Sequence, residues 1–228
     1  MVKNNVLAEG ISLFNRNKYT QALTFFLGLP QESGAGEMDL AYYIGLCYAR
    51  LRRDDDALLY LEQVVTSGTD IQRVLQCRFI LAVIYAESGR KRLSEFELGK
   101  LLETGYRTAS VYASMAYVVW EQGDVDKCLD YYKKSLDKDP GNLTALNGMG
   151  YVLACENREL PKALSCCKKA LAGAPDSAAC LDSLGWVYFK LGLFKDAEKY
   201  LLLAAQKKPG NSEIADHLRL VKEARNIK

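Results

Sequence analysis

Six positions in this 228-residue chain carry a small residue inside an otherwise apolar, helix-like stretch: Gly10, Gly45, Ala82, Ala116, Gly150 and Gly185. They recur at steps of 34 to 37 residues. A glycine in a helix interior costs about 1 kcal/mol relative to alanine, so its recurrence points to a place where another backbone comes too close for a side chain. Three residues after each lies a large apolar row: Leu13, Tyr48, Tyr85, Val119, Leu153 and Tyr188. Twelve or thirteen residues after the first row comes a second small row: Ala22, Ala57, Ser94, Cys128, Ala163 and Ala197. Four residues further stand Phe26, Leu61, Leu98, Tyr132, Cys167 and Leu201. Residues three and four apart share one helix face. A turn must separate the two small rows, so each unit reads helix, turn, helix.

This periodicity resembles the tetratricopeptide-repeat family over nearly the whole chain. The last repeat matches best, at Leu181, Leu184, Gly185, Tyr188, Ala197, Leu201, Ala204 and Pro209; the preceding one matches at Leu146, Met149, Gly150, Ala163, Ala170 and Pro175. The fourth carries Tyr112, Met115, Ala116, Gly123, Ser135 and Pro140, while the first three lack the closing proline. The resemblance implies an all-α fold, a right-handed α-solenoid of about six helix-turn-helix repeats. The repeats run approximately 3–37, 38–74, 75–108, 109–142, 143–177 and 178–211 in a single array, with 212–228 as a capping helix. The motif pair LDSLGWVYF and EIADHL also resembles repeats near the C-terminus of some bacterial envelope-associated proteins of this family.

The helix pairs are predicted at 4–15 with 19–28, 38–51 with 54–66, 73–88 with 93–103, 108–121 with 125–137, 143–155 with 161–172, and 178–190 with 194–206. Gly89, Gly123 and Gly192 are placed to end first helices with a left-handed cap. Asp139-Pro140-Gly141-Asn142 and Lys208-Pro209-Gly210-Asn211 stop second helices and offer caps to the next. The extra residue of repeat five falls at Glu159-Leu160-Pro161. The 37-residue step between repeats two and three predicts a longer turn near Ser67-Gly68-Thr69, and Pro30–Gly36 reads as the most flexible internal link. A final helix at about 212–226 carries Ile214, Leu218 and Val221 on one stripe, suited to covering the open end of an array.

Charge is balanced, with 30 basic and 28 acidic residues, which gives no electrostatic case for nucleic acid. No run of about eighteen apolar residues predicts a membrane span. The first residues do not read as a secretory signal. Seven scattered cysteines without framework spacing suit a reducing compartment, so a cytoplasmic location is expected, with the bacterial periplasm or envelope as the alternative if a leader is removed. There is no CxxC, and His217 is the single histidine, so spacing offers no metal cluster. No glycine-rich phosphate loop and no Ser/His/Asp set is present. The expectation is a non-enzymatic protein with no cofactor and no metal.

The resemblance implies that first helices line a concave surface. There the sequence offers Tyr42 and Phe79 in the N-terminal half, and Tyr117, Trp120, Tyr151, Trp186 and Phe189 in the C-terminal half. Polar residues that could fix register are Asn147, Asp182 and Lys190, with Glu121 beside them. Such an aromatic-lined groove suits an extended peptide or an amphipathic helix of a protein partner. Family members that clamp a chaperone's C-terminal carboxylate place lysine, asparagine and arginine on these rows. Leu7 and Ile11 stand at the first-repeat positions here, which argues against that ligand. An apolar small-ligand carrier and a self-assembling homo-oligomer are the alternatives.

Overall fold

The computed structural model describes residues 6–226. Thirteen α-helices and one short 3-10 turn make up the regular structure, with no strand among the described residues. Packing divides the chain into two units, one up to Tyr106 and one from Arg107 onward. The first contains α1 (Ala8–Asn15), α2 (Tyr19–Leu27), α3 (Glu37–Arg50), α4 (Asp54–Ser67), α5 (Ile71–Glu87) and α6 (Lys91–Glu103). The second contains α7 (Ala109–Trp120), α8 (Val125–Lys138), α9 (Leu143–Cys155), α10 (Leu160–Gly173), α11 (Ala178–Lys190), α12 (Phe194–Lys207) and α13 (Ser212–Asn226). Each unit is a helical-repeat solenoid in which successive helices pack antiparallel. Residues 4 and 5, assigned above to the first helix, lie outside the described residues, as do 227 and 228 of the terminal one.

The small rows mark close approaches between the two helices of a repeat. A Cβ added at Gly45 would lie 2.8 Å from a Leu61 methyl; at Gly185 it would lie 2.7 Å from Leu201 Cγ and 3.2 Å from the Ala197 carbonyl oxygen. At Gly150 it would run into Cys167 Sγ and lie 2.9 Å from the Ala163 carbonyl oxygen. The small residue of one helix therefore receives the bulky residue of the next. Leu61, Leu98 and Leu201 are fully buried there, each contributing roughly 1.5–3 kcal/mol of hydrophobic stabilisation. Ser94 replaces alanine in the second small row, and its hydroxyl donates to the carbonyl of Ala82 at 2.7 Å.

One turn geometry repeats in all six pairs. A single left-handed residue follows each first helix: Asn17, Arg52, Gly89, Gly123, Asn157 and Gly192, with φ between 53° and 87°. The next N–H then folds back onto a carbonyl of the large apolar row. Lys18 bonds Leu13, Arg53 bonds Tyr48, Arg90 bonds Tyr85, Asp124 bonds Val119, Arg158 bonds Leu153 and Leu193 bonds Tyr188, at 2.8–3.2 Å. This six-to-one closure satisfies a carbonyl that the helix end leaves orphaned. The large row thus packs with its side chain and closes the turn with its backbone.

The extra residue of repeat five sits where the sequence places it. Glu159 takes a second left-handed conformation (φ 43°) just before α10 opens with Leu160-Pro161. The longer turn expected near Gly68 is a correction. α4 ends at Ser67 and α5 begins at Ile71, and the additional residues extend α5 to 17 residues. The cause is Asp70, whose carboxylate accepts from the N–H groups of Gln72 and Arg73 and starts the helix early. The Pro30–Gly36 link contains the 3-10 turn Gln31–Ser33, which a left-handed Gly34 terminates.

Candidate functional site

In the unit beginning at Arg107, the first helices α7, α9 and α11 present the stripe expected to face a partner. α13 follows α12 through Pro209 and a left-handed Gly210, and Asn211 caps it by accepting from the Ile214 N–H at 3.0 Å. Ile214 packs with Leu181 and Ala204, and Val221 packs with Ala197 and Leu201. Ile214 and Val221 are two of the three residues of the apolar stripe read from the sequence. Their packing fixes the rotation of α13, so Glu213 and His217, four residues apart on another stripe, turn toward α9 and α11.

There they meet the expected site. His217 Nδ1 lies 2.9 Å from Asp182 Oδ1, and both side chains are 8% exposed. The His217 ring stacks on Trp186, with centroids 4.1 Å apart and planes at 18°. Trp186 in turn stacks on Phe189 at 5.0 Å, and Lys190 Nζ sits 4.9 Å from the Trp186 ring centre. The Tyr151 hydroxyl on α9 donates to Glu213 Oε1 at 2.6 Å. A side chain of α9 therefore bonds α13 as well. Burial, reinforced by that bond to a carboxylate, holds the Tyr151 hydroxyl protonated far above the usual phenol range. Cys155 lies beside Tyr151 and Trp186, and burial raises its thiol above the ordinary value.

The ten expected site residues fall into distinct environments. Tyr117 is 44% exposed on α7. Trp120, Asn147, Tyr151, Phe189 and Lys190 are half-buried on the same unit. Asn147 Oδ1 is buried with no hydrogen-bond partner among the described residues. Trp186, expected as an aromatic contact of the groove, and Asp182, expected as a polar residue fixing register, are instead buried, because His217 of α13 covers both. Tyr42, in the other unit, is buried as well: its hydroxyl donates to Gln76 Oε1 at 2.6 Å, and the Arg73 guanidinium lies 4.9 Å from its ring centre. Arg73 is itself held by Asp39 and Asp70. Phe79 is half-buried on α5. Glu213, His217, Cys155 and Arg73 were not foreseen as part of these surroundings. One signal was available, since the 35-residue step from Asn147 to Asp182 is repeated from Asp182 to His217.

Comparison with known proteins agrees with the repeat reading. Family patterns described as Tetratricopeptide repeat match residues 39–67, 114–178 and 177–207. The "TPR repeat-containing protein PA4667" of Pseudomonas aeruginosa is 41% identical over 81 residues, which is 36% of this chain and 14% of that protein. The chain thus spans a small part of that bacterial relative's length. Among solved structures, the "APC/C hetero-tetramer Cut9-Hcn1" is similar with a TM-score of 0.77 at 14% identity, covering 95% of this chain and 42% of that one. TTC0263 of Thermus thermophilus, described as a thermophilic TPR protein, is similar with a TM-score of 0.62 at 18% identity, covering 82% and 100%. At these identities the structural likeness speaks to the fold.

Proposed function

The chain belongs to the tetratricopeptide-repeat family, whose fold is generally a protein–protein interaction scaffold, and from that premise we propose that it is a non-catalytic adaptor. Its partner is a protein that lays an extended or helical apolar segment along the first-helix face of the unit starting at Arg107. The observation that carries this reading is the exposure of Tyr117. α7 already buries Val111, Met115, Ala116, Val118 and Val119, yet it leaves this large ring 44% exposed. Trp120 and Tyr151 are half-buried on α7 and α9 of the same unit. Aromatic side chains of this kind anchor interfaces because they bring large contact area at low entropic cost. Trp186 and Asp182 support the surface from beneath α13 and are not its contact residues. No helix among the described residues is long and apolar enough to cross a membrane.

A photo-crosslinking residue at position 117, compared with one at the exposed Leu202 of α12, tests the assignment. A partner captured at 117 and absent at 202 supports it. Equal capture at both positions, or capture at 202 alone, removes it.

A further inference from the structure

We propose that Asp182, Glu213 and His217 form a binding site for a divalent transition-metal ion of zinc-like preference, one that ties α13 to α11. Each residue offers one ligand atom, and the three atoms lie within 4.8 Å of one another. One imidazole nitrogen and two carboxylate oxygens are a donor set that zinc and its neighbours accept, with the remaining position open to water. Along the sequence these ligands are separated by 31 and 4 residues, so no short motif announces them. The solenoid assembles them by bringing the start of α13 over the middle of α11.

Two further features favour an ion over a plain hydrogen-bonded pair. The Asp182 carboxylate is buried, and its side-chain partner is an imidazole rather than a lysine or arginine. Buried carboxylates are normally matched by a cation or a metal. Secondly, Tyr151, on a third helix and outside the ligand set, donates its hydroxyl to Glu213 at 2.6 Å. A bond of this kind orients a ligating carboxylate from outside the coordination shell. The Trp186 plane, stacked at 4.1 Å, fixes the imidazole in the same way. Glu213 is exposed, which gives the ion its route in.

The change on binding is small. The ion replaces the hydrogen between His217 Nδ1 and Asp182 Oδ1, the ring hydrogen moves to Nε2, and the separation opens from 2.9 Å to about 3.3 Å, the edge of a tetrahedron with bonds near 2.0–2.1 Å. Glu213 swings inward to close the set.

The test is titration of the full reduced chain with zinc chloride at neutral pH, followed by Trp fluorescence and melting temperature, with cobalt(II) absorption reporting coordination. The expected result is saturable one-to-one binding and a melting temperature that rises with zinc. Glu213→Gln, an exposed change that spares the fold, and His217→Gln each weaken binding at least tenfold. Tyr151→Phe weakens it roughly tenfold, as removal of an outer hydrogen bond does. Cys155→Ser leaves it unchanged. No saturable binding overturns the proposal; so does binding that survives both Glu213→Gln and His217→Gln, or binding that disappears with Cys155→Ser.

Discussion

Asp182 and His217 stand 35 positions apart in the sequence and 2.9 Å apart in space, Oδ1 to Nδ1, both buried. The terminal helix is therefore joined to α11 as well as packed on α12. His217→Ala leaves the Asp182 carboxylate buried without its partner. An unsatisfied buried acceptor costs about 1–3 kcal/mol, more when charged, so a loss of about 2 kcal/mol in chemical denaturation is expected. His217→Ala should also alter Trp fluorescence, because Trp186 loses its stacking partner. An unchanged denaturation midpoint would show that the pair does not hold α13.

The close approaches predict opposite outcomes for two helical glycines. At Gly150 an added methyl meets the Ala163 carbonyl oxygen at 2.9 Å, and that backbone cannot move without shifting α10. Gly150→Ala should destabilise by about 1–3 kcal/mol, despite alanine's better helix propensity. At Gly99, inside α6, nothing lies within 4 Å of an added Cβ. Gly99→Ala should stabilise by about 0.5–1 kcal/mol. Urea denaturation of both variants checks the pair, and the same sign for both would defeat the packing account.

The buried thiols predict an alkaline limit. Burial pushes Cys47 up to about 11, and Cys77 and Cys128 up to about 12, from an ordinary value of 9.0. Above pH 9 the unfolded chain releases these protons while the folded chain keeps them, so the unfolded state binds fewer protons and stability falls as pH rises. The contribution is complete below pH 9 and is lost through pH 11 to 12. Melting temperature measured from pH 8 to 11 should decline, and replacing Cys77 by alanine or valine should lessen the decline. A flat profile would contradict the desolvation account. At pH 8, Cys155 should react first with a thiol reagent, since it is the partly exposed one of the seven.

How legible the molecule is in its sequence differs between the fold and the site. Gly45 against Leu61 and Gly185 against Leu201 are contacts within one repeat, so periodicity alone carries them. The same periodicity gives the phase of Trp186 on α11 but not what covers it. That depends on α13, which lies beyond the last complete repeat and whose rotation is fixed by Ile214 and Val221 on its other stripe. Tyr42 was hidden for a related reason. Its surroundings come from Arg73 and Gln76 of α5, the helix that Asp70 starts earlier than the sequence reading placed it. Tyr117 stays exposed on the stripe that sequence assigns to a partner.

Removing α13 by truncation after Gly210 should uncover Leu201, Ala204 and Trp186 together. The truncated chain is expected to self-associate, as an uncapped array does, and to show a lower melting temperature. Light scattering coupled to size-exclusion chromatography reads the first effect. A monomer with an unchanged melting curve would remove both the capping role and the His217 link.

The partner surface is tested most directly by comparing binding and folding on one variant. With the protein captured at position 117 as ligand, affinity and melting temperature are measured for the parent chain and for Tyr117→Ala. Tyr117 is 44% exposed, so its removal should leave melting nearly unchanged. Loss of an aromatic anchor commonly costs 2 kcal/mol or more, so affinity should fall roughly thirty-fold. Unchanged affinity in a fully folded Tyr117→Ala chain would contradict the account.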